Sequence, residues 1–183
     1  MSKTCVFITG TNCTGKTTVA KALQQHFGGI RETTSDTTFC HDPRAAFAGI
    51  YRDGMKHGGV DLLCKTNTLA DIVRRGLQTA DVVFCEGSYL DTFGQNLLNA
   101  IFAADNQLYV FLYCNRERLT ERNRERLTER NREMILGRMM NKQRRVLSSA
   151  KKYASIGVPV LSFDSDKVST EEIVRQILER LHL

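Results

Sequence analysis

Proline is scarce in this chain, with two residues among 183. No Ser/Gly/Pro-rich stretch interrupts the sequence, so nothing in it reads as a linker between domains. No window approaches the roughly 18 apolar residues that span a bilayer. The opening Met-Ser-Lys-Thr-Cys-Val-Phe-Ile-Thr has too short an apolar run for a secretory signal. A soluble cytoplasmic chain with no membrane partner is the expectation. The six cysteines (Cys5, Cys13, Cys40, Cys64, Cys85, Cys114) lack any CxxC pair or metal-ligand spacing. They read as ordinary reduced thiols, because an α/β core of this size needs no staples. A catalytic thiol would need a paired histidine, and His26, His41, His57 and His182 show no such arrangement.

Acidic residues are missing from one stretch altogether. Met134 to Lys152 holds Arg138, Lys142, Arg144, Arg145, Lys151 and Lys152 with no Asp or Glu, enough to account for the whole net charge of +6. Such a segment serves either the phosphate-facing side of a nucleotide enzyme or a track for a nucleic-acid backbone.

What is present is an alternation of strand and helix patterns. Thr4–Thr9 is a nearly continuous apolar run, as in a buried parallel strand. Lys16–Phe27 carries Val19, Ala20, Leu23 and Phe27 at helical spacing before Gly28-Gly29. A brief strand at Gly29–Glu32 precedes a polar Thr33–Thr38 segment. Asp42-Pro43 is expected to open a helix through Tyr51, and Asp61–Leu77 to form a second. Asp81–Glu86, Gln107–Cys114 and Val158–Phe163 read as further strands. Phe93–Ala103, Arg116–Ala154 and Thr170–Leu181 read as helical. The pattern predicts a single α/β domain over 1–183, with a five-stranded parallel sheet covered on both faces and a lid at about 115–150. Gly-x-x-x-x-Gly-Lys-Thr at Gly10–Thr17, between the first strand and the first helix, makes it a P-loop domain.

That lid contains an exact repeat. Asn115-Arg-Glu-Arg-Leu-Thr-Glu-Arg122 recurs as Asn123–Arg130, and Asn131-Arg132-Glu133 begins a third copy. Eight residues advance a helix by about 12 Å and turn it by about 80°, so the repeat preserves no single buried face. It is too short for a solenoid unit. A tandem duplication inside an exposed helix explains it, since insertion is tolerated there.

Gly10-Thr11-Asn12-Cys13-Thr14-Gly15-Lys16-Thr17-Thr18 lies directly after an apolar strand and directly before a helix, the context that gives Gly-x-x-x-x-Gly-Lys-Thr its meaning. The glycines let backbone N–H groups turn inward onto phosphate oxygens, and the helix N-terminus adds positive potential. Lys16 would bridge the β- and γ-phosphates of ATP. The Thr17 hydroxyl would coordinate Mg²⁺, and Glu86, closing a strand, would hold the metal's water shell. Phosphoryl transfer then needs positioning and charge neutralisation. Arg116, Arg118 and Arg122 suit that role as they close over ATP. Asp36 is the candidate base or orienting carboxylate for an acceptor hydroxyl, with Glu32 its rival.

With these residues in hand, the chain resembles the thymidylate kinases. The Gly10–Thr18 loop is shared. Gly-Ile-Arg31-Glu32-Thr-Thr resembles that family's Arg-Glu-Pro-Gly segment, and Glu86-Gly-Ser-Tyr89-Leu-Asp91-Thr stands where it has Asp-Arg-Tyr-x-Asp-Ser. Arg144-Arg145 through Tyr153 and Leu161-Ser-Phe-Asp164-Ser resemble its post-lid helix and the strand ending beside the adenine. The resemblance implies a substrate site formed by Arg31, Glu32, Asp36, Glu86 and Tyr89, and a homodimer, the common state of that family.

The family's two monophosphate-binding arginines are missing, their places held by Gly87 or Ser88 and by the run Leu62–Thr68. Lys65 or Arg52 are the available substitutes. Losing bidentate grips on a free monophosphate while gaining a basic segment is similar to the phage 5-hydroxymethyluridine DNA kinases. That resemblance implies a pyrimidine acceptor already in DNA, held through its diesters and extruded from the stack, with Tyr89 and Phe39 as stacking partners. It also implies the host cytoplasm as location. A free dTMP-type nucleotide or nucleoside kinase, and a nucleotide-binding module without turnover, are the alternatives.

Overall fold

The computed structural model describes residues 2–52, 58–63, 69–88, 90, 95–130 and 136–183, with only the backbone of 126–130. Its centre is β1 (Thr4–Gly10), whose residues from Cys5 onward are all buried. Side chains on a strand alternate between faces. Val6 and Ile8 therefore enter one apolar layer with Val19, Leu23, Phe27, Ile173 and Ile177. Cys5 and Phe7 enter the opposite layer with Ile72, Val73, Leu97, Ile101, Val146 and Tyr153. A strand buried on both sides is apolar throughout, which is why Thr4–Thr9 lacks a polar face.

Helices α1 (Lys16–His26) and α6 (Thr170–Leu181) cover the first face; α2 (Leu69–Thr79), α3 (Gln95–Ile101) and α5 (Leu136–Ser155) cover the second. Helix α4 (Arg116–Arg130) precedes α5. The remaining strands are β2 (Ile30–Thr33), β3 (Thr37–Cys40), β4 (Ala45–Ala48), β5 (Val82–Glu86), β6 (Asn106–Tyr113) and β7 (Val160–Asp164).

The sheet has seven strands in the order β2-β3-β4-β5-β1-β6-β7, not the five expected. It is mixed: β2, β3 and β4 pair antiparallel, and the other pairings are parallel. The two unforeseen strands come from the segment read as polar and from the segment read as helical. Ala45-Ala-Phe-Ala48 has good helix formers, yet all four residues are buried between β3 and β5. Pairing on both sides overrides propensity there. Of the expected Asp61–Leu77 helix, the described residues form a 3-10 turn at Val60–Leu62 and α2.

Register aligns the chemistry. Ile8 lies opposite Glu86, and Thr37 opposite Ala48, which lies opposite Cys85. The phosphate loop, Glu86 and the β2–β3 turn thus share the carboxyl edge of the sheet, where open α/β sheets bind ligands.

Candidate functional site

The loop between β1 and α1 is shaped by close approach. A Cβ on Gly10 would sit 2.3 Å from the Leu112 carbonyl oxygen and 2.7 Å from Thr14 Oγ1. Cys13 and Gly15 both take left-handed backbone, with φ of 66° and 85°. Alternating conformations of this kind turn successive N–H groups to one side, forming a concavity for anions. One loop carbonyl takes two side-chain donors. The Thr11 carbonyl accepts from Thr14 Oγ1 at 2.9 Å and from Lys16 Nζ at 2.7 Å. Thr11 Oγ1 in turn donates to the Met139 carbonyl of α5 at 3.0 Å. Lys16 is buried and Thr18 exposed. Asn12 Oδ1 is a buried acceptor without a hydrogen-bond partner.

Glu86 lies beneath this loop and is buried. Thr17 Oγ1 donates to its Oε1 at 3.4 Å, and the Tyr51 hydroxyl donates to its Oε2 at 3.1 Å. Burial pushes the Glu86 carboxyl up to about 7, with the Asp61 charge adding to the rise and the Lys16 ammonium opposing it. Burial, then the Glu86 charge, raises the Tyr51 phenol well above its usual value. Gly59 completes the packing: a Cβ there would lie 2.3 Å from the Glu86 carbonyl oxygen and 2.6 Å from Oε2. These residues fit a magnesium–nucleotide. A hydroxyl and a costly buried carboxylate converge below a phosphate cradle, and Mg²⁺ takes few protein ligands beside phosphate oxygens and water. Among the described residues no cluster of three or more His, Cys, Asp or Glu forms an all-protein cage.

The lid docks through the first repeat copy. Asn115 Oδ1 accepts from the Arg118 amide at 2.8 Å, and the Asn115 amide donates to Asp166 Oδ2 at 3.0 Å. Leu119 is buried in a small cluster with Cys114 and Met139. Arg122 Nη1 donates to the Cys13 carbonyl and to Ser165 Oγ, each at 3.1 Å, and Nη2 donates to the Ser165 carbonyl at 3.1 Å. Arg118 pairs with Glu121 and stands 3.8 Å from Asp166, while Arg116 is exposed in the first turn. Of the three lid arginines expected at the phosphates, Arg122 alone bonds the phosphate loop among the contacts described.

The acceptor-side candidates do not gather into one cluster. Asp36 occupies the β2–β3 turn, buried, with Oδ1 accepting from Thr37 Oγ1 at 2.9 Å and Oδ2 from Arg75 Nη2 at 2.5 Å. Three strand spacings separate β3 from β1, so Asp36 stands about 14 Å to the side of the phosphate loop. Arg31 and Glu32 lie farther out on β2, exposed and paired with each other at 3.3 Å. Phe39, expected to stack a base, packs on the core and beneath the Arg31 guanidinium. Tyr89 and Lys65 lie outside the described residues, and Arg52 is exposed.

Tyr51, Gly59, Asp61 and Arg75 escape the sequence reading. The doublet Gly58-Gly59 was the available signal, since such a pair marks a turn or a close backbone approach.

Comparison with known proteins agrees with the fold. The family model described as chromatin associated protein KTI12 matches residues 4–183, and the chain belongs to that family. No curated protein sequence matches it. Among solved structures, the YorR protein from Bacillus subtilis, in complex with phosphorylated GDP, is 17% identical with a TM-score of 0.57, covering 98% of this chain and 96% of that one. A putative kinase from Chloroflexus aurantiacus is 15% identical with a TM-score of 0.55, covering 99% and 97%. Deoxyadenosine kinase from M. mycoides is 10% identical with a TM-score of 0.51, covering 97% and 98%. The fold is that of the P-loop kinases.

Proposed function

We propose that this member of the KTI12 family is a magnesium-dependent ATP phosphotransferase, a single P-loop unit over 1–183 with its lid at about 115–150. Its acceptor is a hydroxyl of a pyrimidine deoxynucleotide, with 5-hydroxymethyluridine in DNA as the favoured substrate, and its location the cytoplasm. The observation that carries the donor side is the convergence of Lys16, Thr17 and Glu86 below the loop. In this reading Lys16 exchanges its bond to the Thr11 carbonyl for phosphate oxygens. Thr17 Oγ coordinates the metal and Glu86 orients its water. Mg²⁺ supplies charge neutralisation at the phosphates.

Two observations support an acceptor gripped otherwise than a free monophosphate. A Cβ on Gly87 would meet Val60 Cγ2 at 2.5 Å and Asp61 Oδ1 at 2.8 Å, so this backbone has no room for an arginine. The acid-free segment forms α5, with Arg138, Arg144, Arg145, Lys151 and Lys152 all exposed, and it starts beside the phosphate loop at Met139. A polyanion suits such a surface.

The test is a transfer screen with γ-labelled ATP across dTMP, deoxynucleosides, plain DNA and hydroxymethyluracil-containing DNA. Label on the modified DNA alone, lost steeply with added salt, is the expected result. Label on dTMP alone selects the free-nucleotide kinase. Tight ATP binding with no labelled product on any acceptor selects a nucleotide-binding module. One feature favours that last reading: both Asp36 carboxylate oxygens already accept hydrogen bonds from protein donors.

A further inference from the structure

We infer that Arg122 is a positioning residue that holds the phosphate loop in its binding shape, and that it does not touch the transferred phosphate. The inference rests on the nucleotide-binding reading of that loop and assigns one lid arginine a different task from charge neutralisation.

Three observations converge. First, both terminal nitrogens of the guanidinium are spent on protein acceptors: the Cys13 carbonyl, Ser165 Oγ and the Ser165 carbonyl, all at 3.1 Å. Asp166 Oδ1 adds a carboxylate 3.6 Å away, and the Arg122 side chain is only 23% exposed. A planar fork fixed on three acceptors has little freedom to swing toward a ligand.

Second, the acceptor it takes in the loop is the carbonyl of Cys13, a non-glycine residue in the left-handed region. A peptide plane carries its N–H opposite its C=O. Drawing the Cys13 carbonyl outward therefore turns the Thr14 amide toward the concavity. Thr14 does the equivalent for the carbonyl of Thr11. Arg122 and Thr14 thus brace alternate peptide planes of one cradle.

Third, the phase of α4 makes this contact specific. Asn115, Leu119, Arg122 and Asn123 fall on one helical face, with Leu119 and Asn123 buried. Arg118, one turn before Arg122, shares this face but is neutralised by Glu121 and Asp166, and Arg116 is exposed. The strand-to-helix turn after β7 is tied in through Ser165. Arg122 thereby joins three segments that are far apart in sequence.

A loop brace acts on every nucleotide that fills the cradle, whether or not a γ-phosphate is present. The experiment is titration calorimetry of Mg·ADP and of a non-hydrolysable Mg·ATP analogue with the full chain and with Arg122→Lys, Arg122→Met and Arg130→Met. The expected result is an equal loss of affinity for both nucleotides, about tenfold, in the two Arg122 variants, with melting temperature reported alongside. Arg122→Lys keeps the charge and loses the fork, so its loss matches that of Arg122→Met. Ser165→Ala, which removes one acceptor and no charge, weakens both nucleotides by a smaller, equal factor. Arg130→Met, the matching change in the second repeat copy, leaves both affinities unchanged.

Weakened binding of the ATP analogue with ADP unaffected would show that Arg122 reaches the γ-phosphate and would overturn the inference. So would unchanged affinity for both, or an equal effect of Arg130→Met. Absence of phosphoryl transfer by the parent chain would defeat the proposed function and leave this binding result intact.

Discussion

The Tyr51 hydroxyl and Glu86 Oε2 meet at 3.1 Å inside the fold, tying the segment that follows β4 to the end of β5, the strand beside β1. The hydrogen bond favours the ionised carboxylate, partly opposing the burial that drives it toward the neutral form. Tyr51→Phe removes that donor. Its expected effect is a loss of about 1 kcal/mol of stability at alkaline pH, together with a shift of the Glu86 titration to higher pH. Chemical denaturation at several pH values measures the first and carboxyl NMR shifts the second.

The same buried carboxylate sets a pH dependence for the nucleotide-free protein. Its carboxyl titrates near 7 in the fold and at 4.5 when unfolded. Between those values the folded chain holds more protons, so stability falls as pH rises from about 4.5 to 7 and then levels. Glu86→Gln abolishes that slope and is expected to be as stable as the parent, or more so, at pH 8. Melting curves across pH 4.5–8 with and without the substitution check it. A parent slope that survives Glu86→Gln would assign the effect elsewhere.

Gly59 is held at φ of 87° against the Glu86 backbone and side chain. Gly59→Ala introduces both left-handed strain and a contact far inside van der Waals range. The expected cost is at least about 2 kcal/mol, with nucleotide affinity lost as Glu86 is displaced. Gly157→Ala is the comparison, because its φ is also 87° but nothing lies within 4 Å of the added Cβ. The difference between the two variants isolates the close approach from the backbone strain.

Deleting 123–130 removes one whole repeat copy and brings Asn131-Arg132-Glu133 to the places of Asn123-Arg124-Glu125. The docking contacts of Asn115, Leu119 and Arg122 all belong to the copy that stays. Stability within about 0.5 kcal/mol of the parent is expected, with unchanged ADP affinity. A collapse of either would show that lid length, and not the first copy alone, supports the loop.

Legibility followed sequence separation. The strand–loop–helix unit of β1 and α1 is local, so its apolar run, glycines and Lys-Thr sufficed to read it. The bounds of α6 match the sequence reading at Thr170–Leu181, because Ser169 caps the helix and the apolar spacing is regular. Strand β4 was not legible, since an alanine run becomes a strand only through partners on both sides. The Tyr51–Glu86 contact spans 35 residues and left no local trace. Among the lid arginines the repeat itself hid the answer, as each turn offers the same residue types. Only the burial of Leu119 fixes the helix phase that aims Arg122 inward. Asp36 lies in the β2–β3 turn, and its engagement by Arg75 of α2, 39 residues away, was invisible in the chain order.

The exposed Arg31–Glu32 pair on β2 bears on how molecules of this protein meet one another. Strand β2 ends the sheet, and an edge strand offers unpaired backbone groups to any passing strand. Two charged side chains on a four-residue strand, with a register irregularity between Ile30 and Glu32, make that border a poor template for zippering. Replacing both by apolar β-formers would leave the nucleotide edge untouched and is expected to promote edge-to-edge aggregation as the protein is concentrated.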